Sequence, residues 1–411
     1  MEIRPILSAL LRNKTGPVLV ALQVALSLAI LANAMHIVQE RSAVVARPSG
    51  MADEHAVFRI EARNLSNDTP EQKLAAIKRE TAVLRAVGGV ASVAQTSQMP
   101  LTRSGSNTSL ALDPRQEKAS AVGSIYISGD SLVKTLGLTL VEGRDFFAPE
   151  LVDVNETAED VTPPGVIVSK PLAEKLWPGA SAIGKTMYFG TGADARPTRI
   201  VGVVENLISA HADIGERGMF SVILPYRLYG GGRGTIYAVR TEPGQRDRVM
   251  KEAEAALRKA SPTPLILEMT STDEDRKNRY RGDHALQWML ITVSGLLLLI
   301  TSCGIVGMAS LWVTQRRKQI GVRRALGARR LDILRYFILE NFMITSAGVF
   351  SGVVLGLALN QLLVSKLEMA RLPAGYLIGG ALIFWLLGVI AAYGPAWRAA
   401  SISPATATRS V

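Results

Sequence analysis

Four long apolar stretches alternate with polar segments along the chain and determine its organisation. They cover residues 17–38, 286–313, 336–363 and 377–397. The second stretch contains no charged residue, and the third contains only Glu340, near its start. About 20 apolar residues cross a bilayer, and a charge at the bilayer centre costs about 2.5–3.5 kcal/mol, so this pattern predicts four transmembrane helices.

The first apolar stretch admits two interpretations. Ala32-Asn33-Ala34 has the small-x-small form of a signal-peptide cleavage site. The stretch is long, however, and residues 1–16 begin with apolar side chains at the spacing of an amphipathic helix. We therefore favour an uncleaved span with a short stem, residues 17–45, preceded by a helix on the cytoplasmic membrane surface.

The block 46–271 has the pattern of a water-soluble α/β domain. Residues 55–61 and 90–96 are predicted strands, and the helix between them begins near Pro70, with Gln72 in the capping-box position. The same order of strand, helix and strand recurs over 235–241, 243–260 and 264–270. The two units predict a ferredoxin-like layer assembled from both ends of the block.

The middle of this block, about 122–225, is richer in short strands and turns and predicts an inserted β-rich lobe. Within it, the pattern predicts a short helix capped by Asp130 and a turn at Gly143. Residues 272–285 are polar and helical and predict a rigid stem that leads into the second span. The predicted fold class is a membrane α-helical protein with four transmembrane helices and a large external α/β domain.

Charge is distributed unevenly and orients the predicted spans. The chain has 46 Lys and Arg against 35 Asp and Glu, and residues 39–284 hold 31 of each. The remaining 15 basic residues crowd the N-terminus, the stretch 314–335 and the tail 398–411, whereas the loop 364–376 has only two. The positive-inside rule therefore places both termini and 314–335 in the cytoplasm, and the soluble block and the 364–376 loop outside. Because the excess charge flanks membrane spans, we expect no nucleic-acid partner.

The stretch 314–335 combines high positive charge with helical apolar spacing. Its basic residues are Arg316, Arg317, Lys318, Arg323, Arg324, Arg329, Arg330 and Arg335. The interleaved apolar residues are Ile320, Ala325, Leu326, Leu331 and Leu334. A basic run alone is usually a solvated face, but this spacing predicts a short amphipathic helix tethered to a span at each end. Such a helix suits the membrane surface or the docking of a soluble partner.

The third span carries three glycines at intervals of four residues, Gly348, Gly352 and Gly356. Two overlapping G-x-x-x-G steps place them on one helix face, where small residues allow close approach of another helix backbone. We expect this face to pack against another span, in this chain or in a second subunit.

One segment matches a nucleotide-binding pattern. Residues 179–186, GASAIGKT, satisfy G-x-x-x-x-G-K-[ST]. The phosphate-binding loop requires a strand before it and a helix after it, but here residues 171–177 look helical and 187–190 look like a strand. We therefore expect no nucleotide or other cofactor to bind this chain directly.

The remaining candidate groups do not form a catalytic or metal-binding pattern. His36, His55, His211 and His284 are scattered without ligand spacing, and Cys303 lies inside an apolar stretch. We expect no metal site and a non-catalytic protein.

Several segments of the membrane part and of the external block carry a resemblance. Residues 314–357 and 395–409 resemble the membrane signature of the family of MacB/FtsX-type ABC-transporter permeases. Residues 129–146, 166–187 and 199–207 resemble its periplasmic core, and the second of these includes the loop that matches the nucleotide-binding pattern. The resemblance covers essentially the whole chain.

This resemblance implies a permease in the bacterial inner membrane with a periplasmic core domain. It implies that a separate cytoplasmic ABC ATPase, which holds ATP and magnesium, drives a dimer of permease subunits, either identical or different. It also implies a periplasmic adaptor and an outer-membrane duct for export of a drug, peptide or other substrate. The implied ATPase-coupling residues are Arg316, Arg317, Ile320, Gly321, Arg323, Arg324, Ala325, Leu326, Gly327 and Ala328.

The family pattern also leaves alternatives open. Acidic residues are common in the family where this chain has Gln315 and Gln319, which puts those contacts in doubt. Two other functions fit the same architecture. One is a mechanical regulator that transmits ATPase strokes to a periplasmic cell-wall hydrolase or sensor, and the other is a lipoprotein-releasing permease.

Overall fold

A computed structural model describes residues 10, 14–66, 68–157, 161–231, 234–367 and 370–401. It contains two compact units, a helical unit from residues before 44 and after 282, and an α/β unit from Val44–Gly282. The predicted surface helix over 1–16 and the tail 398–411 lie mostly outside the described residues.

The secondary structure follows the alternation of long apolar and short amphipathic segments. The helices are α1 (Thr15–Val45), α2 (Pro70–Arg85), α3 (Leu132–Leu136), α4 (Lys170–Leu176), α5 (Arg246–Ala260), α6 (Thr272–Gln315), α7 (Arg317–Ala325), α8 (Arg330–Leu367) and α9 (Ala374–Ala400). The strands are β1 (Val57–Asn64), β2 (Val90–Thr96), β3 (Asn107–Ala111), β4 (Ala121–Ile127), β5 (Leu140–Gly143), β6 (Val152–Asn155), β7 (Gly165–Ser169), β8 (Thr186–Phe189), β9 (Arg196–Val204), β10 (Ser221–Leu224), β11 (Tyr226–Tyr229), β12 (Thr235–Thr241) and β13 (Leu265–Ser271).

Four helices, α1, α6, α8 and α9, are long and apolar enough to cross a membrane, which confirms the four predicted spans. In the helical unit, α1 contributes the fully buried Val24 and Leu28 to one apolar cluster. Ile305 from α6, Ile344 from α8 and Phe384 from α9 belong to the same cluster. The first span is therefore the packing centre of the unit. The predicted stem is helical and is continuous with the second span, because α6 begins at Thr272.

The α/β unit contains the predicted ferredoxin-like layer. Its four antiparallel strands have the order β13-β1-β12-β2, which is the order generated by two strand–helix–strand units. The capping box at the start of α2 is present: Thr69 Oγ1 accepts from the Gln72 N–H, and Gln72 Oε1 accepts from the Thr69 N–H. Buried residues of α2 and α5, such as Leu84 and Leu257, pack on Phe58 and Tyr237 of the sheet.

The lobe is a seven-stranded mixed sheet with the order β5-β9-β7-β10-β4-β3-β8. The sheet curls, since β8 pairs with both β3 and β9. It includes β3, which lies before the expected start of the lobe near 122, and a separate parallel pair, β6 and β11, lies beside it. A second apolar cluster, which includes Val57, Tyr126, Ile167 and Ile223, joins the layer to the lobe.

The predicted cap of α3 is wrong by one residue. Ser131, not Asp130, is the N-cap, and its hydroxyl accepts from the Lys134 N–H at 2.9 Å. The Asp130 carboxylate is instead taken by Arg85 at 2.7 Å and Arg227 at 3.1 Å. Asp130 is therefore held by long-range ion pairs, and the next residue, Ser131, provides the cap.

Candidate functional site

The stretch between the second and third spans is not the single helix predicted over 314–335. This stretch contains the end of α6, the separate helix α7 and the first turn of α8, and a turn at residues 326–329 separates α7 from α8. Gly327 adopts a φ of +97°, and the Ala328 N–H bonds to the Arg323 carbonyl at 3.1 Å. This is a Schellman ending, in which a left-handed glycine terminates a helix. The Asp332 carboxylate then accepts the Arg329 N–H at 2.9 Å and starts α8.

One face of α7 anchors it to the helical unit. Ile320 is 4% exposed, and Gly321 beside it is also buried. Ile320 belongs to an apolar cluster with Val313, Phe337 and Ala396, which come from α6, α8 and α9. Two of the predicted coupling residues therefore hold α7 in place and do not face outward.

Arg316 also contacts its own unit. Its Nη1 lies 2.9 Å from both carboxylate oxygens of Glu340, which is only 1% exposed. A buried carboxylate needs such a partner, because its isolated charge would be costly in an apolar environment. Arg316 therefore ties the α6–α7 junction to α8, and the one charge in the third apolar stretch is neutralised.

The opposite face of α7 is exposed and mixes apolar and cationic side chains. Leu326 is 83% exposed and Val322 is 51% exposed, although both are large and apolar. Arg317, Arg323, Ala325 and Gly327 are also exposed, whereas Arg324 and Ala328 are half-buried. Gln315 and Gln319 lie among the exposed residues. This arrangement suits a protein partner that offers an apolar pocket with acidic surroundings.

Sequence reasoning missed Trp397 of α9, which lies beside the first turns of α8. Leu331 and Trp397 are 58% and 53% exposed, and together with Leu334 they line a shallow cavity of about 160 Å³. Trp397 is distant from 314–335 in sequence, so only packing of α9 against α8 brings it here. The sequence signal that could have identified Trp397 is its position as an aromatic side chain at the end of the last span.

The three glycines of α8 pack against α1 of the same chain. A Cβ on Gly348 would lie 2.7 Å from the Ala21 carbonyl oxygen, and one on Gly352 would lie 3.0 Å from Ala25 Cα. Gly356 accepts a hydrogen bond from Asn33 Nδ2 at 3.1 Å. The predicted helix-packing face is therefore covered by a span within the subunit.

The segment that matches the nucleotide-binding pattern lies between α4 and β8, in the predicted order of helix, turn and strand. Its Gly184 N–H donates to the Ile200 carbonyl at 2.8 Å, and its Lys185 N–H donates to Ala182 at 3.1 Å. The Lys185 ammonium lies 5.4 Å from the centre of the Trp177 ring. These groups hold a turn against β9 and do not form the open cradle of a phosphate loop.

Two buried titratable contacts of the α/β unit serve the fold. Glu80 accepts a hydrogen bond from the Tyr237 hydroxyl at 2.6 Å, and burial raises the pKa of this carboxyl. Arg59 pairs with Asp275 at 2.9 Å, and both side chains are buried. Among the residues that the structure describes, no group of three or more His, Cys, Asp or Glu side chains could hold a metal ion.

Two family models match this chain. The MacB-like periplasmic core domain matches residues 18–257, and the FtsX-like permease C-terminal region matches residues 291–404. The first covers more than half of the chain, and the second contains α7, the Schellman turn and the glycine face.

Curated relatives are similar over the same regions. The macrolide export ATP-binding/permease protein MacB of Nitrosomonas europaea is 28% identical over 62% of this chain and 39% of its own length. The pyoverdine export ATP-binding/permease protein PvdT of Pseudomonas putida is 27% identical over 66% of this chain and 43% of its own length. The chain thus spans less than half the length of these relatives. The solved periplasmic region of MacB from Actinobacillus actinomycetemcomitans aligns with 57% of this chain and 97% of its own length at 15% identity, with a TM-score of 0.35.

Proposed function

Because this chain belongs to the family of MacB/FtsX-type ABC-transporter permeases, we propose that it couples ATP hydrolysis by a separate cytoplasmic ATPase to movement of its periplasmic core domain. We propose further that this movement drives export of a periplasmic substrate. The two relatives named above are export proteins by name, which supports this direction of transport. The permease itself performs no catalysis in this scheme.

The observation that carries the proposal is the two-sided character of α7. Its inner face is fixed by Ile320 and Gly321, while Val322 and Leu326 are exposed on its outer face. Burial of a large apolar side chain contributes about 1.5–3 kcal/mol, so two such exposed residues on a short helix are a ready binding surface. The exposed Arg317 and Arg323 would then pair with acidic groups of the ATPase.

A push on α7 would be transmitted through its anchors. Ile320 connects α7 to α6, α8 and α9, and the Arg316–Glu340 pair connects the α6–α7 junction to α8. Since packed helices shift as units, movement of α7 would also shift α6. α6 is one continuous helix from Thr272 to Gln315. Export would then follow from a two-state movement that ATP binding biases.

The first turns of α6 are firmly attached within the α/β unit. Arg276 forms two hydrogen bonds of 2.7 Å to the carboxylate of Glu54, and Arg279 Nη2 donates to the Ala212 carbonyl at 2.8 Å. Burial is the largest single influence on the pKa of Glu54 and raises it, but hydrogen bonds from Arg276 and Ser49 and the Arg276 charge together outweigh burial and lower this pKa. These contacts would carry a displacement of α6 into the core domain.

The proposed assembly contains further partners. The apolar part of α6 exposes Trp288 and Leu299, which are 70% and 60% exposed, and lipid or a second permease subunit, identical or different, would cover them. A periplasmic adaptor and an outer-membrane duct would complete an export route. If a cell-wall hydrolase co-purified with the permease in place of the adaptor and duct, mechanical regulation would replace export as the function of this protein.

Co-purification from membranes tests the coupling surface. The candidate ATPase is co-expressed with the wild type, with Leu326→Asp and with Leu65→Asp. Leu65 is a matched control, since it is 67% exposed on the α/β unit. We expect the wild type and Leu65→Asp to retain the ATPase and Leu326→Asp to lose it. Retention by Leu326→Asp would refute the assignment of α7 as the docking element.

A further inference from the structure

A polar cavity in the α/β unit has no role in the proposed coupling. It encloses about 380 Å³ and lies between the end of α2 with strand β2 and the segment that leads from β4 into α3. Small-molecule sites typically enclose about 300–1,000 Å³, so this cavity is large enough for a compact ligand. Its walls come from both the layer and the lobe.

The charges in the lining are predominantly positive. Arg85 and Lys134 face one carboxylate, Asp130. That carboxylate is shared, because Arg85 lies 2.7 Å and Arg227 3.1 Å from the same oxygen. Lys134 is exposed and forms no ion pair with a residue in the described part of the chain. The single negative charge of Asp130 is therefore shared by two guanidinium groups, those of Arg85 and Arg227. The ammonium of Lys134 beside them adds a further positive charge to the cavity.

A second carboxylate lies close to this cavity but is committed elsewhere. Asp145 accepts hydrogen bonds from the Ser131 hydroxyl and from the Phe146 N–H. It does not belong to the lining, and it forms no ion pair with Lys134. The positive charge of Lys134 is thus available to a ligand.

The strand along this cavity adds a backbone donor. β2 is at the edge of its sheet, and among the described strands it pairs only with β12. The Gln95 N–H donates to Asp130, and the Val93 carbonyl accepts from Arg85, so residues 93 and 95 turn their backbone groups away from β12. In an antiparallel pair, a residue that does not bond to the partner strand turns both its N–H and its carbonyl away from that strand. The Val93 N–H therefore points away from β12, on the side where Val93 lines the cavity.

We propose that this cavity binds a small organic anion that carries a carboxylate or phosphate group. Lys134 and Arg85 supply the opposite charge, and the Val93 N–H donates to an anionic oxygen. Charge-assisted hydrogen bonds of this kind are the strong ones in proteins, and the guanidinium can present several donors at once. Because the ligand contacts both the layer and the lobe, its binding stabilises the junction between them.

Calorimetric titration of the full-length protein in detergent tests this site. The probes are glycerol 3-phosphate and succinate, which distinguish a phosphate ligand from a carboxylate ligand. We expect at least one probe to bind, and Lys134→Ala to weaken it about tenfold or more. Lys134 is exposed, so its removal leaves the fold intact, which the unfolding temperature without ligand verifies.

Lys251→Ala is the matched control, because Lys251 is an exposed lysine of α5 that does not line the cavity. We expect this variant to bind the probe as the wild type does. Absence of binding by both probes would overturn the proposal. Equal weakening in the two lysine variants would also overturn it, since it would show attraction to overall charge and not a site.

Discussion

The glycines of α8 show how the absence of a single side chain determines helix packing. Gly348 faces the Ala21 carbonyl and Val24, and nothing larger than hydrogen fits between the two backbones. In a membrane, where helices gain little from the hydrophobic effect, such close contact is a main source of attraction. The three glycines therefore decide how closely α8 approaches α1.

We expect Gly348→Ala to destabilise the protein by about 1–3 kcal/mol, since the new Cβ would lie 2.7 Å from a backbone oxygen and force the helices apart. Thermal unfolding in detergent measures the effect. Gly379→Ala in α9 is the control, because its Cβ would meet no atom within 4 Å. Equal unfolding temperatures for the two variants would contradict the packing described.

Glu80 provides a residue-level test of pH dependence. Burial raises its pKa above the unfolded value of 4.5, so the folded state binds the proton more tightly than the unfolded state. Stability should therefore decline as the pH rises from about 4.5 through the folded pKa. Glutamine cannot ionise, and its carbonyl can still accept from Tyr237.

We expect Glu80→Gln to unfold at a higher temperature than the wild type at pH 7–8, and this difference to shrink as the pH approaches 4.5. Unfolding temperatures measured across this range provide the test. Glu117→Gln, at an exposed position, should follow the wild type throughout. A constant offset at all pH values would show that ionisation of Glu80 is not the cause.

At the scale of elements, the turn between α7 and α8 converts one predicted helix into two. Gly327 permits the left-handed conformation that ends α7, and Asp332 caps the start of α8. Leu326, just before the turn, is 83% exposed, whereas Ile320, six residues earlier on α7, is buried.

We expect Gly327→Ala to destabilise this turn by about 1–2 kcal/mol, because an L-residue is strained at this φ. Hydrogen exchange of the amides at 326–332 should accelerate, and less ATPase should co-purify. Gly307→Ala, within α6 and without a neighbour within 4 Å of its Cβ, should change neither measurement. Unchanged exchange in Gly327→Ala would refute the role of the glycine.

At the scale of the whole molecule, the uneven charge predicts the orientation in the membrane. The native Cys303 is replaced by serine, and single cysteines are introduced as Lys118→Cys in the α/β unit and Arg329→Cys beside α7. In cells with a permeabilised outer membrane, we expect an impermeant maleimide to label position 118 and to reach position 329 only after lysis. The reverse pattern would invert the topology.

Local signals predicted much of this fold. The capping box at Thr69 and Gln72, the strands at 90–96 and 235–241, and the four spans depend on neighbours in sequence, and the structure has them. The cap of α3 was missed because Asp130 forms ion pairs with residues far away in sequence. The sequence singled out Leu326 as part of a coupling element but did not single out Trp397.

The sequence by itself determined which segments enter the membrane, which form the soluble domain, and that a basic amphipathic segment joins the second and third spans. These properties follow from hydrophobicity, periodicity and charge, which are local. Only the tertiary structure decided that Arg316 neutralises Glu340, that the glycines of α8 meet α1, and that Arg85 and Lys134 share a cavity. Each of these contacts joins residues distant in sequence, and their geometry arises only when packed elements bring them together.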